Sequence, residues 1–435
     1  MLTLLASQQH RDCNGASRRD FLKIGTLGLG GITLPQLLAA RSEAAEQGRS
    51  VKDTAVVWLW LSGGPTHIET FDPKMTAPSE YRSTSGEVAT TVPGVTLGGH
   101  FPKLAQNFHK LAIVRSFAHT NSGHGGGTHY VMTGYDNRQV DNGGVPTRPA
   151  MGAALSKIRG ANHPQTGMPT YIRMNSIGSD GAAFLGPAYS PFDPNGQARQ
   201  NMALATKVNR IDDRRELLGS LDRFRRDADQ SGLMDGLDAF ESQAFNLLLG
   251  NAPQAFDMAK EDEATRNKYG KDQLAQQMLV ARRLVEAGCG FVTINYGGWD
   301  MHGTILRSMA QRAPAVDHAV STFLDDLWYR GLDQKVLLII SGEFGRTPRI
   351  NGSAGRDHWA PLSTLALAGG GFRMGQVIGE SMPKADLPKT TPIKPLDLMA
   401  TVFHHLGVDP QTQFTNPAGR PVYLLEGGTP IAELL

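Results

Sequence analysis

Short apolar runs of strand length alternate along the chain with longer stretches of helical period. Residues 55–61 (AVVWLWL), 111–115 (LAIVR), 291–296 (FVTINY), 336–340 (VLLII) and 362–368 (LSTLALA) are apolar almost throughout, not at every second position. A strand with one wet face alternates, whereas one covered on both faces reads continuously. These runs therefore predict a large, mostly parallel sheet with helices on both faces. Residues 271–287 have helical spacing, with Leu274, Met278, Leu279 and Val285 apolar, Arg282 and Arg283 among them, and Gly288 placed as a cap. The order reads as βαβ units and the fold class as α/β. Such sheets gather their ligands at the carboxyl ends of the strands, so the loops that follow the runs are where chemistry is expected.

The intervening segments are polar in different ways. Residues 209–246 are dense in charge and carry no strand-like run, which predicts a helical insertion of two helices joined near Ser231 and Gly232 and lying over the sheet. Residues 146–167 and 190–200 are rich in Pro, Gly and Asn and read as irregular loops. The last stretch, 419–435, is expected to close the sheet edge without chemistry.

The N-terminus has a separate logic. Residues 17–23 (SRRDFLK) precede a Gly-bearing apolar run, 24–38, and then a small-residue stretch with Ser42 and Ala44 at a cleavage-like spacing. Paired arginines, a short apolar core and such a site form a twin-arginine export signal, residues 1–44, leaving 45–435 as one domain. An uncleaved anchor or a buried helix is the alternative, but the run is short, Gly-rich and interrupted by Pro35, which argues against a stable membrane span. The signal implies a periplasmic or extracellular protein whose partner during export is the twin-arginine translocase. Proteins resembling this one in their leader are exported folded, often after a metal or cofactor is loaded.

Cleavage after Ala44 removes five basic residues (Arg11, Arg18, Arg19, Lys23, Arg41) and three acidic ones (Asp12, Asp20, Glu43) from totals of 43 and 41, leaving 38 of each. A neutral chain without a basic stripe argues against nucleic acid and favours a small molecule or a neutral polymer as partner. Cys13 leaves with the signal, so Cys289 has no partner for an internal disulfide.

Candidate chemistry clusters after the strand runs. Residues 297–303 (GGWDMHG) place Asp300 and His302 two apart on a loop, a spacing that lets both reach one cation; a turn Asp bonded to its His is the other reading. Residues 341–349 (SGEFGRTPR) bring Glu343 to the same edge with Arg346 behind it, either as a ligand or as a buried ion pair. Residues 355–359 (GRDHW) return Asp357 and His358 to the rim just before a strand. After the first run, residues 63–74 (GGPTHIETFDPK) offer His67, Glu69 and Asp72, as ligands or as caps. Residues 119–129 hold His119, His124 and His129 with Thr120, Ser122 and Thr128, a density that suits either a site or a solvated polar loop.

Together with residues 397–407 (DLMATVFHHLG), these motifs resemble the bacterial family catalogued as domain of unknown function 1501, over the leader and nearly all the remaining chain. That family is grouped by similarity with the alkaline-phosphatase-like superfamily, which also holds sulfatases, phosphodiesterases and cofactor-independent phosphoglycerate mutases. The resemblance implies an alkaline-phosphatase-like sandwich with one or two divalent metals at its carboxyl rim. It places Asp300, His302 and His358 on one metal and Glu343 where the superfamily has an Asp. Two departures stand out: Gly63 occupies the place of a metal-binding Asp, so that His67 or Asp72 must substitute, and Phe344 occupies that of a second ligand. Counting back from Thr133 and Gly134 lands on His124 as nucleophile, with Ser122 and Thr128 nearby. No Cys-x-Pro-Ser-Arg motif is present, which argues against a formylglycine sulfatase.

The expected protein is an exported metal-dependent hydrolase of phosphate or sulfate esters, small or polysaccharide-borne. Zinc or manganese is favoured by the mixed imidazole and carboxylate donors. The expected metal residues are Asp300, His302, Glu343, His358, His67 and Asp357; the expected catalytic ones are His124, Thr128 and Arg346, with Arg346 or the Gly125–Gly127 amides on the non-reacting oxygens. The alternative is a non-catalytic protein whose degenerate metal site binds an anionic sugar or cell-surface polymer. An α/β-hydrolase esterase, suggested by the run His124 to Gly127, fails because no Gly-x-Ser-x-Gly elbow exists in the chain.

Overall fold

The computed structural model describes residues 53–194 and 252–435. The expected export signal, residues 1–44, and the expected helical insertion at 209–246 lie outside the described residues. Seven strands form the central sheet: β1 (Ala55–Trp60), β2 (Leu111–Val114), β3 (Tyr171–Met174), β4 (Phe291–Asn295), β5 (Val336–Ser341), β6 (Leu365–Gly369) and β7 (Gln376–Ile378). Their spatial order is β7-β2-β6-β5-β1-β4-β3, and every pairing is parallel except those of β6.

Strand β1 shows why the runs are continuous. Val57 and Leu59 face one core and Val56, Trp58 and Trp60 the other, all fully buried. The first core is closed by α3 (Gln273–Glu286) and α4 (Ile305–Tyr329) through Leu274, Met278, Met309, Val316, Phe323 and Leu327. The second is closed by α1 (His124–Thr133), α2 (Met151–Arg159) and α5 (Pro395–Leu406) through Val131, Met132, Leu155, Leu398 and Phe403. Period-two side chains on a doubly covered strand must all be apolar, which is the physical content of the runs.

The register sets where the loops emerge. Trp60 stands beside Asn295 of β4 and Ser341 of β5, so the loops after β1, β4 and β5 leave at one edge. Strand β6 runs the other way, with Leu365 opposite Ser341, so the segment preceding it arrives at that same edge. Strand β2, antiparallel to β6, also ends there and leads to α1. Four connections from distant parts of the sequence, those after β1, β2 and β4 and the one joining β5 to β6, thus share one rim.

Three expectations need correction. The stretch 146–167 is not irregular throughout, because α2 occupies its centre; its prolines, Gly160 and Gly167 lie outside the helix, while Gly152, within it, lets the helix sit against the Tyr171 ring. Strands β3 and β7 are additional, short and at the two edges of the sheet. The C-terminal stretch does not extend the sheet, since Pro421–Tyr423 pairs with Gln413–Thr415 in a separate ribbon. The tail lies against β7 and α5, with Gln376 Nε2 donating to the Glu433 carbonyl and Ile431 N–H to Thr401 Oγ1. Among the described residues, no helix is long and apolar enough to cross a membrane.

Candidate metal centre

Three imidazoles converge on one carboxylate at the shared rim. His302 Nε2 lies 3.0 Å and His358 Nε2 3.1 Å from Asp300 Oδ1, and His124 Nε2 lies 3.5 Å from Asp300 Oδ2. Asp300 and His302 come from the loop after β4, His358 from the segment before β6, and His124 from the first turn of α1.

Each imidazole is anchored through its other nitrogen. His302 Nδ1 is 2.7 Å from Asp357 Oδ1, His358 Nδ1 2.9 Å from the Ser122 carbonyl, and His124 Nδ1 2.8 Å from Glu343 Oε1. A carbonyl and ionised carboxylates accept and do not donate, so every Nδ1 carries the proton. In the neutral ring Nε2 is then a lone pair, and all three lone pairs face Asp300. The Nε2 atoms of His302 and His358 are themselves 3.0 Å apart. Lone pairs turned toward one another and toward a carboxylate repel, unless a cation or a shared proton lies between them.

The geometry suits a cation. Ligands about 2.0–2.1 Å from a small divalent ion stand roughly 2.9–3.3 Å apart in octahedral or tetrahedral arrangements. The separations among Asp300 Oδ1, His302 Nε2 and His358 Nε2 are 3.0, 3.0 and 3.1 Å. His124, Asp300 and His358 form an overlapping set whose donor atoms lie within 4.8 Å of one another. Asp300, His302 and His358 make the tighter set, with His124 at its flank.

Local electrostatics favours an ionised Asp300 and a neutral His358, and tips His124 toward its charged form. Burial works against the Asp300 carboxylate, but hydrogen bonding and charge from Arg346, with His358 and His124, outweigh it and bring its pKa down to about 2. The His358 pKa is lowered, first by burial, against the opposing Asp300 hydrogen bond. That of His124 is raised, chiefly by its bond to Glu343.

Several residues predicted to act directly sit behind others. Arg346 is fully buried and fully engaged: Nε donates to the Gly64 carbonyl at 2.9 Å, Nη1 to that of Arg356 at 3.0 Å, and Nη2 to the Gly63 carbonyl and Asp300. With no free face for a substrate oxygen, it pins Asp300 to the loop after β1. Asp357 backs His302 from behind. Thr128 Oγ1 donates to the His124 carbonyl at 2.6 Å, a helix-internal bond. Two of the three amides expected to hold an anion are also taken, Gly126 N–H by Asp141 and Gly127 N–H by the Gly123 carbonyl.

The loop after β1 supplies no ligand side chain to the cluster. His67 is buried with Nε2 2.9 Å from the Ala385 carbonyl, Asp72 pairs with Lys74 and Arg115, and Glu69 is locked to the wholly buried Arg356 at 3.0 Å. Gly63 instead gives its N–H to Glu343 Oε1 at 2.8 Å, so Glu343 is held from two sides while its Oε2 is buried without a partner among the described residues. Gly63 has φ +115°, and a Cβ there would overlap the Asp300 amide nitrogen. An acidic side chain cannot stand at that position. The Phe344 ring packs against both imidazoles, with its centroid 4.4 Å from that of His358 and 5.1 Å from that of His124, and offers no donor atom to the cluster. Ser122 holds the His358 segment, its carbonyl on the ring Nδ1–H and its hydroxyl accepting from Ala360 N–H at 3.1 Å, a role that no spacing of residue types reveals.

The fold and the site define an α/β protein with a histidine–aspartate cluster at the carboxyl rim of its sheet. The chain belongs to the family described as protein of unknown function (DUF1501), whose model matches residues 53–435. No curated protein matches the chain. Among solved structures it is similar to the PsFucS1 sulfatase from Pseudoalteromonas sp., at 14% identity and TM-score 0.36, covering 86% of this chain and 70% of that one. It is similar to the phosphonate monoester hydrolase SpPMH from Silicibacter pomeroyi at 12% identity and TM-score 0.38, with coverage of 82% and 74%. TAB5 alkaline phosphatase is matched at 10% identity and TM-score 0.36, with coverage of 83% and 100%. All three likenesses are loose.

Proposed function

We propose that this protein is an exported, metal-dependent hydrolase of phosphate or sulfate esters that works with one divalent ion. The carrying observation is the convergence of three Nδ1-anchored imidazoles on Asp300. Asp300, His302 and His358 would hold the ion, and their mixed nitrogen and oxygen donors favour zinc, manganese or iron over calcium or magnesium. The ion would supply Lewis acidity, polarising the ester and acidifying a water.

His124 is the proton carrier in this reading. Its Nδ1–H is fixed by Glu343, which orients the ring and stabilises its charged form, and Nε2 is displayed beside the metal set. Nε2 takes a proton from the attacking water and returns it to the leaving oxygen. Phe344 and the buried Glu343 restrict water on the inner side of the ring. Arg346 keeps Asp300 ionised and aimed.

Steric closure at Gly63 and the ring of Phe344 favour a second reading, a binding protein for an anionic sugar or cell-surface polymer whose single ion only holds the rim together. Turnover separates the two. Metal-reconstituted protein should hydrolyse an aryl phosphate, a phosphodiester or an aryl sulfate, and His358→Ala should lower the rate at least about 100-fold. Stoichiometric metal with ligand binding and no turnover selects the binding protein. No turnover together with an unaffected His358→Ala variant removes the hydrolase reading.

A further inference from the structure

Asn351 lies on the loop between β5 and β6 that returns His358 to the rim, and none of the motifs assigns it a role. Its Nδ2 donates to Asp357 Oδ1 at 3.1 Å and to the His302 carbonyl at 3.0 Å. Its Oδ1 accepts from the N–H groups of Ser353 at 2.9 Å and Gly355 at 3.0 Å. The partners fix which end is which, since two N–H groups require an oxygen and a carboxylate and a carbonyl require the amide nitrogen. All four bonding positions of one carboxamide are therefore used.

Two of those bonds bear on His302 directly. Asp357 is half exposed, so packing does little to hold its rotamer, and its Oδ1 receives both Asn351 and the Nδ1–H of His302 at 2.7 Å. Unsupported, that carboxylate can turn away and release the ring. The backbone around it is clasped as well. Thr304 N–H donates to the Ser353 carbonyl at 3.0 Å and Ile305 N–H to that of Ala354 at 2.8 Å. Thr304 and Ala354, at φ 45° and 55°, are both left-handed without being glycine. Such conformations cost roughly 1–3 kcal/mol each and persist only where the surroundings over-determine them. A Cβ on Gly355 would overlap the His302 carbonyl carbon, so the two loops touch backbone to backbone.

We propose that Asn351 is a positioning residue of the metal centre: by fixing the Asp357 carboxylate it holds His302 in the Nδ1–H tautomer that turns the Nε2 lone pair toward Asp300 and His358. The chain of support runs from Asn351 through Asp357 to His302, and it rests on reading the cluster as a cation site.

Asn351→Asp separates positioning from turn formation, because an aspartate keeps the acceptor for Ser353 and Gly355 but loses the donors to Asp357 and His302. Asn351→Leu removes the donors without adding charge. Zinc affinity of the purified protein, measured by competition with a chromogenic chelator, should fall about 10–100-fold in both variants, with Asn351→Asp unfolding at nearly the wild-type temperature. Nitrogen-15 spectra of histidine-labelled, metal-free protein should show His302 protonated at Nδ1 in the wild type and shifted toward the other tautomer in both variants. Wild-type zinc affinity and an unchanged His302 tautomer in Asn351→Asp overturn the proposal. If the wild type binds no zinc, the cation reading fails separately; the metal-free spectra then decide alone, a lost Nδ1–H tautomer supporting Asn351 and a retained one overturning it.

Discussion

His302 and His358 present their Nε2 atoms to each other across 3.0 Å, although the partner of each Nδ1 has already claimed the ring proton. Two neutral imidazoles so arranged have no hydrogen to share. The contact is stable with a cation between the lone pairs or with one ring protonated, and the anchored Nδ1 atoms are what a carboxylate–histidine–metal relay requires. The rim loops are tied by strand register and by fully engaged arginines, and each ring is held by the partner of its Nδ1.

Glu343 controls His124. The His124 pKa is raised, first by its hydrogen bond to Glu343, with burial opposing and the Glu343 and Asp300 charges adding to the rise. A base must be neutral to accept a proton, so kcat/KM should climb with pH through the pKa of His124. Glu343→Gln removes the largest raising cause, so the rising limb should move to lower pH while kcat drops on the order of 10²-fold. A rising limb that stays in place, in pH–rate profiles of the two proteins, would detach His124 from the proton transfer.

Gly63 is expected to tolerate no side chain. Its φ of +115° is strained for any L residue, and the added carbon meets the Asp300 backbone. Gly63→Ala should destabilise the protein by about 1–3 kcal/mol and weaken metal binding through displacement of Asp300. Urea unfolding and metal titration of the variant check both effects; full stability with full affinity would show that the loop after β1 yields more readily than its contacts imply.

His119 supplies an acid-labile element behind the cluster, against the Glu343 backbone. Burial holds its pKa down at about 4, against weaker raising contributions from the Glu343 carbonyl and Asp136. The unfolded chain, with an ordinary value near ~6.5, binds this proton first. The contribution of His119 to stability is therefore complete above the unfolded value and is lost as pH falls from about 6.5 to about 4, by roughly 3 kcal/mol at most. His119→Gln should flatten that part of the pH dependence in urea titrations between neutral and mildly acidic pH. An identical slope in the variant assigns the acid sensitivity to other groups.

The sequence was most legible where burial is complete. Strands β1, β4 and β5 are covered on both faces, so their apolar runs mark them within a residue or so, and Asp300, His302 and Glu343 then fall on the loops that follow. The edge strands β3 and β7 carry Arg173 and Gln376 and are too short to stand out. Helix α2 is hidden by the Gly and Pro that bound it. Side-chain roles were less legible because they depend on what is left free after packing. Arg346 reads as an anion clamp beside two acids, yet three backbone carbonyls and Asp300 consume its guanidinium. His67 reads as a substitute ligand after a Gly-rich turn, yet its ring bonds Ala385, far along the sequence. Asn351 and the Ser122 carbonyl carry no motif at all, because amides and backbone oxygens become meaningful only once the loops are brought together.

Divalent metal content and affinity of the purified wild-type, His302→Ala and His358→Ala proteins, measured side by side, probe the convergence on Asp300 most directly. One zinc, manganese or iron ion per wild-type chain is expected, with affinity weakened at least about 100-fold in either variant. A wild-type protein that retains and binds no divalent ion, or variants that hold it as tightly as the wild type, would contradict the account.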